Sequence, residues 1–207
     1  MSIQYILLIL AIIILIPIIF YKLWFLRNPD ITIPEGNNII SPANGKITSI
    51  IKLDDTTEDI EIKKTLGKIR TLTNDTTEKG YLILIVMDIF NVHYQKAPLD
   101  GKVISVIHTE GKFLNAVADA KNLKASLENE KTETIIETEI GKIKIVQIAG
   151  MVARRIVSFV KPEQKIIKGQ DIGLIKLGSQ VALIMPEVKL KIKEGQKIKV
   201  GEIIAEY

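Results

Sequence analysis

The chain has 207 residues, 28 lysines and arginines against 24 acidic residues, a net charge of +4, two histidines and no cysteine. That length suits one main domain with a real core, while the missing cysteines exclude disulfides, zinc–thiolate sites and thiol catalysis, and two histidines argue against a His-rich metal site. Aromatic residues, at 5%, are too sparse for base-stacking platforms, so no nucleic acid partner is expected, and the scattered lysines fit an anionic membrane surface just as well.

Ile3 to Phe20 carries no charge and is almost wholly aliphatic, interrupted by Gln4, Tyr5 and Pro17. About 20 such residues cross a bilayer core as a helix. A cleaved signal peptide fits less well, because neither a basic n-region nor a small-residue cleavage site is present. Tyr21, Trp24 and Phe25 suit the membrane interface, with Lys22 and Arg27 beside them. The positive flank is C-terminal, which predicts a cell-membrane protein with a cytoplasmic body. Pro17 leaves a shallow hairpin open as an alternative to a single span. Residues 1–27 are therefore read as the anchor, 28–38 as a polar linker with Pro29, Pro34 and Gly36, and 39–207 as the working domain.

Beyond the linker the pattern becomes short apolar runs punctuated by glycine, predicting strands at Lys46 to Lys52, Tyr81 to Val86, Gly101 to Val106, Gly141 to Ile148 and Val188 to Ile192. Asp54 to Asp59 reads as a charged loop and Phe113 to Lys121 as a turn or short helix. Ile148 to Val157 reads as a small-residue helix or a loop ending in a strand. Two internal echoes stand out. Pro42-Ala43-Asn44-Gly45-Lys46-Ile47 matches Pro98-Leu99-Asp100-Gly101-Lys102-Val103, and KIIKGQDI (165–172) matches KIKVGEII (197–204). Each reads as a turn delivering a strand. The expected fold is α+β and predominantly β: a body resembling the barrel-sandwich hybrid of biotinyl and lipoyl domains, with minor helices, preceded by a transmembrane helix. A carrier lysine in a tight turn beside Met is missing, so cofactor carriage is not expected.

Ile175 to Pro186 reads IKLGSQVALIMP, an apolar β-type run broken by Gly178 and Ser179. A bulge or tight turn is the plain structural reading. The chemical reading is attack of the Ser179 hydroxyl on the unhindered Gly178 carbonyl, an ester shift, and β-elimination that cuts the chain and leaves a pyruvoyl group.

Four segments occur in order: MDIFNVHYQKAPLDGKV (87–103), KASLENEKTE (124–133), QIAGMVARRIV (147–157) and GLIKLGSQVALIMP (173–186). From about Ile40 to the C-terminus they resemble the phosphatidylserine decarboxylase family, in its short membrane-anchored form, which includes archaeal archaetidylserine decarboxylases. The resemblance implies self-cleavage between Gly178 and Ser179, giving a β chain of 1–178 and an α chain of 179–207 headed by a covalent pyruvoyl derived from Ser179. The two chains stay associated. The ketone would condense with the amino group of a serine phospholipid and accept the electron pair left as carbon dioxide departs. A homodimer is also implied.

His93 is the implied proton-transfer residue; the reading without the resemblance is a structural histidine. Lys96 stands where longer members carry a second histidine. Asn44 stands at the position of an aspartate that steadies the histidine, and an amide cannot balance an imidazolium. Three explanations stay open: Asp100 or Asp88 substitutes, Asn44 deamidates, or cleavage is impaired. Arg154 and Arg155 are candidates for the lipid phosphate or serine carboxylate, with Lys96 a further basic substrate contact, against surface ion pairing. Asn129 and Glu130 are expected to shape a loop near the site, and His108 to be a strand or surface residue. No metal is expected. Two other functions remain: a membrane-tethered β module that binds lipid without processing, favoured by Asn44, and a hammerhead-type adaptor resting on the 195–204 hairpin.

Overall fold

The computed structural model describes residues 3–53, 75–77, 79–111, 128–150, 155–176 and 179–207. The expected loop at 54–59, the expected turn or helix at 113–121, and the site candidates Arg154 and Gly178 lie outside them.

Ile3–Ile19 forms α1, and none of its residues is buried. A helix apolar on all sides and packed against no protein suits lipid. It runs straight through Pro17, so the hairpin alternative is not formed, and passes into a π-helical turn, Phe20–Phe25. There the Leu26 N–H donates to the Tyr21 carbonyl, 3.1 Å away. Such a bulge is a recognised adjustment near proline, whose nitrogen donates nothing to the ladder. Ile3–Phe25 spans 23 residues, and its most apolar 18-residue stretch has a mean hydropathy of 3.0. At about 1.5 Å per residue it is long and apolar enough to anchor in a membrane.

The rest is strand. In chain order these are β1 (Asn38–Ile40), β2 (Gly45–Leu53), β3 (Gly80–Met87), β4 (Tyr94–Lys96), β5 (Gly101–Thr109), β6 (Lys131–Thr138), β7 (Gly141–Ala149), β8 (Arg155–Ser158), β9 (Lys165–Ile166), β10 (Asp171–Lys176), β11 (Ser179–Pro186), β12 (Lys189–Leu190), β13 (Lys197–Ile198) and β14 (Ile203–Glu206). Among the described residues they form an antiparallel sheet in the order β13-β2-β3-β11-β7-β6-β5-β9 and two three-stranded sheets, β1-β14-β12 and β4-β10-β8. A predominantly β body behind an N-terminal apolar helix is what the sequence predicted. The long strands β2, β3, β5 and β7 fall where expected and β11 lies within the Ile175 to Pro186 run, whereas β6 is not among the expected strands and the Val188 to Ile192 run pairs only over Lys189–Leu190.

The strand order of the large sheet is a palindrome, and the two sequence echoes explain it. Gly45 and Lys46 pair with Ile198 and Lys197, while Gly101 and Lys102 pair with Ile166 and Lys165. The Gly201 N–H donates to Ser41 O at 3.0 Å, and the Gly169 N–H to Ala97 O at 2.9 Å. Asn44 Oδ1 accepts the Val200 N–H at 2.6 Å, as Asp100 Oδ1 accepts the Lys168 N–H at 2.5 Å. The two halves are thus related by an approximate two-fold that passes between β7 and β11.

The expected linker is laid against this body. Asn28 Nδ2 donates to Asp171 Oδ2 at 2.6 Å. Ile31 and Ile33 pack over the equivalent turn glycines, Gly201 (φ +88°) and Gly169 (φ +85°), where a Cβ would overlap the isoleucine side chains. Positive φ and close approach both demand glycine there.

Alternation fixes the core. Ile83, Ile85 and Met87 of β3, Val181, Leu183 and Met185 of β11, and Ile143 and Ile145 of β7 face the main core beneath the small sheets. Their neighbours Leu82, Leu84, Ala182, Ile184, Val146 and Ile148 form a second cluster on the opposite face. Central strands buried on both faces read as continuous apolar runs.

Candidate active site

Ser179 is the first residue of β11, fully buried, with Met87 of β3 and Ala149 of β7 as its register partners. Its place in the alternation with Val181 turns it to the main core, where Oγ lies 3.4 Å from Met87 Sδ. After Met87 the chain leaves the sheet through a turn tied at both ends. The Phe90 N–H donates to Asp88 Oδ1 at 2.8 Å and the Asp88 N–H to Asn91 Oδ1 at 2.9 Å. Asx-type bonds of this kind favour turns over continued strand. The turn delivers His93 to the head of β4, where its carbonyl accepts the Ile175 N–H of β10 at 3.2 Å. The chain passes from Lys176 of β10 to Ser179 of β11, so Ser179 and His93 lie at the same end of the core.

His93 is fully buried. Its Nδ1 lies 2.9 Å from the Asn91 carbonyl. A carbonyl only accepts, so Nδ1 carries the proton and donates it. Nε2 is buried with no hydrogen-bond partner among the described residues. Burial is the main cause that lowers the imidazole pKa from 6.5 to about 4, opposed by the Asn91 bond and the Asp88 charge and reinforced by Arg27. The ring is therefore neutral at pH 7, with its lone pair on Nε2. Phe25, from the π-helical turn, forms one wall, its ring centroid 4.0 Å from that of the imidazole.

Two buried amides continue the site inward. Gln95 Nε2 donates to the His93 carbonyl at 2.7 Å and lies 3.8 Å from Met87 Sδ, and Gln147 Nε2 donates to Gln95 Oε1 at 2.7 Å. On the other flank Asn129 Nδ2 donates to the Ala149 carbonyl at 2.7 Å and the Ala149 N–H donates to Glu130 O at 2.9 Å. Asn129 and Glu130 thereby brace the strand position opposite Ser179.

The other sequence candidates separate. Asp88 lies close enough for its charge to act on His93. Asn44 and Asp100 hold the backbone turns at Val200 and Lys168, Asn44 by the Val86 end of β3, next to Met87, and Asp100 by Glu137 at the opposite end of the sheet. The orienting partner of His93 is a backbone carbonyl in place of a carboxylate. Lys96 is paired with Asp171 at 2.6 Å and is buried. Arg155 is exposed at the start of β8, in register with Lys176, so two cations flank the 177–178 link. His108 sits on β5 with Nδ1 3.0 Å from Thr132 Oγ1. Among the described residues there is no cluster of three or more His, Cys, Asp or Glu able to hold a metal.

Sequence reasoning missed Phe25, Met87, Gln95 and Gln147 as site neighbours. Gln147 had a signal, since an amide inside the apolar run IKIVQIA must find a buried partner. Phe25 had none, because its neighbours read as an interfacial belt.

The family model for phosphatidylserine decarboxylase matches residues 20–206. The phosphatidylserine decarboxylase proenzyme of Syntrophus aciditrophicus is 36% identical over 88% of this chain and 77% of its own length. That of Chlorobaculum tepidum is 36% identical over 89% and 76%, and that of a Geobacter species 33% over 89% and 75%. With a family model over nearly the whole β body and relatives of this identity along it, the chain belongs to the phosphatidylserine decarboxylase family and is a decarboxylase, a carboxy-lyase.

Proposed function

We propose that the chain is a proenzyme that cuts itself between Gly178 and Ser179 and then decarboxylates a serine phospholipid, phosphatidylserine or archaetidylserine, to the ethanolamine lipid. One observation carries this reading: a buried Ser179 at the head of a central strand, at the same end of the core as a buried neutral histidine whose Nε2 is free to take a proton. A buried, unpartnered nitrogen is unfavourable in a purely structural role and calls for a reason. Neutral His93 accepts the Ser179 proton at Nε2 as Oγ attacks the carbonyl of residue 178, and the Asn91 carbonyl steadies the resulting imidazolium at Nδ1. Asp88 is the nearby carboxylate whose field favours that charge, so it takes the role the sequence left open between Asp88 and Asp100.

The position fits the group that cleavage would form. A pyruvoyl formed from Ser179 would be held between Met87 and Ala149, its neighbours in register, with His93 at the same end of the core. When present, it supplies a carbonyl that accepts the electron pair released with carbon dioxide. His93 then returns a proton to the product carbon. Arg155 and Lys176 supply positive charge for the lipid phosphate or serine carboxylate, with Arg154 a further candidate. Lys22 and Arg27 on the body side of the span support a cytoplasmic body. The pairing of β11 with β3 and β7 would keep the α and β chains together, and a homodimer belongs to the same proposal.

Intact-protein mass spectrometry of the full-length chain tests it. Fragments meeting at 178/179 are expected, the small one N-terminally blocked and reactive towards a carbonyl reagent. Ser179→Ala should abolish both cleavage and decarboxylation. A chain that stays uncut in lipid over days, or a Ser179→Ala variant that still decarboxylates, overturns the reading.

A further inference from the structure

The rim of the site is apolar where a soluble enzyme would be polar. Ile89 and Phe90, at the tip of the turn that leads to His93, are 44% and 60% exposed. Phe159, beyond β8, is 43% exposed, and its ring centroid lies 5.9 Å from that of Tyr94, the residue after His93. Single exposed apolar residues need no explanation, but a group at the mouth of one site does.

The same rim is tied to the foot of the apolar helix. The Phe20 ring meets Phe90 edge-on at 6.1 Å. The Arg27 guanidinium donates to the Phe90 carbonyl at 2.6 Å and to the Trp24 carbonyl at 2.7 Å, and lies 4.4 Å above the Trp24 ring. The turn therefore leaves the body where the span enters it.

We propose that Ile89 and Phe90 insert into the leaflet that α1 crosses, so that the β body docks on the bilayer with its Ser179–His93 end facing the lipid. The occupant is the bilayer surface, because the patch is continuous with the helix that is long and apolar enough to enter hydrocarbon. Aromatic and aliphatic tips enter the headgroup–acyl boundary while cations such as Arg27 stay at the level of the phosphates. The opposite end of the central strands, where Gly80 meets Pro186, points away from the membrane. A serine lipid would then reach the site sideways, without leaving its leaflet. That consequence rests on the proposed roles of Ser179 and His93; the docking does not.

The cysteine-free chain makes the test direct. The full-length protein carrying Phe90→Cys, and separately Ile89→Cys, is labelled with an environment-sensitive fluorophore and placed in phosphatidylglycerol–phosphatidylcholine vesicles. Glu187→Cys is the reference, eight residues from Ser179 and just past the end of β11, and so about 26 Å away. Expected are a blue shift at 89 and 90 and quenching by shallow doxyl lipids at least threefold stronger than at 187, with aqueous iodide showing the reverse. Labels at 89 and 90 that behave like the one at 187 overturn the proposal. Shielding from iodide without doxyl quenching, lost on dilution into excess lipid, overturns it in favour of a second copy of the chain covering the patch. The readout needs no cleavage or activity, so a failure of the decarboxylase reading is distinguishable from a failure of the docking.

Discussion

Asn44 has the same structural task as Asp100, its counterpart across the approximate two-fold: its side-chain oxygen accepts the N–H of a turn residue, Val200. An amide does this as well as a carboxylate, so Asn44→Asp should leave the rate of self-cleavage unchanged on a gel, whereas a faster cut would make Asn44 a weakened member of the site. Asn44→Ala removes the partner of a buried N–H and should cost about 1–3 kcal/mol in urea unfolding. His93 makes a pH prediction with a definite sign. Its folded pKa lies near 4 because burial disfavours the charged ring. The unfolded chain takes up that proton below about 6.5 and the folded one resists it, so stability falls as pH drops from about 6.5 to about 4, and this group adds no further loss below that. His93→Leu should flatten that segment of the stability curve. In the rate of cleavage the acid limb should lie near 4. Phe25→Ala, which strips one wall from the ring, should move it up towards 6.5, while Phe25→Leu stays near the native value. The facing charges, Asp88 and Arg27, are unchanged in both variants, so hydration of the ring is what the comparison reads. Burial of His93 was not legible in the sequence, because NVHYQK alternates like a half-exposed strand and the residue that seals it, Phe25, lies 68 positions earlier.

At the scale of elements, the small β4-β10-β8 sheet is fastened to the large one through amides. Gln95 of β4 and Gln147 of β7 share a buried hydrogen bond, and Gln95 also holds the His93 carbonyl. Gln147→Leu leaves Gln95 Oε1 without that donor and should lower stability by about 1–3 kcal/mol, with Gln95→Leu/Gln147→Leu together less damaging than the sum of the single changes. A double-mutant cycle by denaturant unfolding measures the difference. The central strands β3 and β11 were legible because apolar runs such as YLILIVM and SQVALIMP suit a sheet buried on both faces, whereas β6, KTETIIET, has too few apolar residues to stand out. Strands of two or three residues, β1, β4, β9, β12 and β13, carry too few positions for any period to show. The echoes at 42–47 and 98–103 were legible as repeated turns. That they lie across a two-fold, which sets Asn44 by the Val86 end of β3 and Asp100 by Glu137 at the opposite end of the sheet, depends on pairings some 63 to 153 residues apart in sequence, where local pattern has no reach.

Across the whole molecule, the foot of the apolar helix and the candidate site are packed together. Phe25 closes over His93, Arg27 binds the turn that carries it, and Ile31 and Ile33 bind the linker to the body. An anchor that served only to hold the protein at the membrane could be removed without touching the chemistry in detergent. The contacts predict otherwise, and two truncations separate the roles. A chain beginning at Phe20 loses α1 but keeps Phe25, Arg27 and the Phe20–Phe90 contact. A chain beginning at Asn28 loses all of them and opens the histidine to water. With detergent-dispersed protein, the first should cleave at 178/179 within about threefold of the full-length rate, because the side chains around His93 are intact even if so short a turn frays. The second should cleave at least tenfold more slowly and show its acid limb shifted upward, as Phe25→Ala does. Time courses on gels across pH supply both readouts. Equal rates for the two truncations would reduce Phe25 to a packing residue and the apolar helix to a tether; slow cleavage by both would place the essential contact within α1 itself, where no residue is buried.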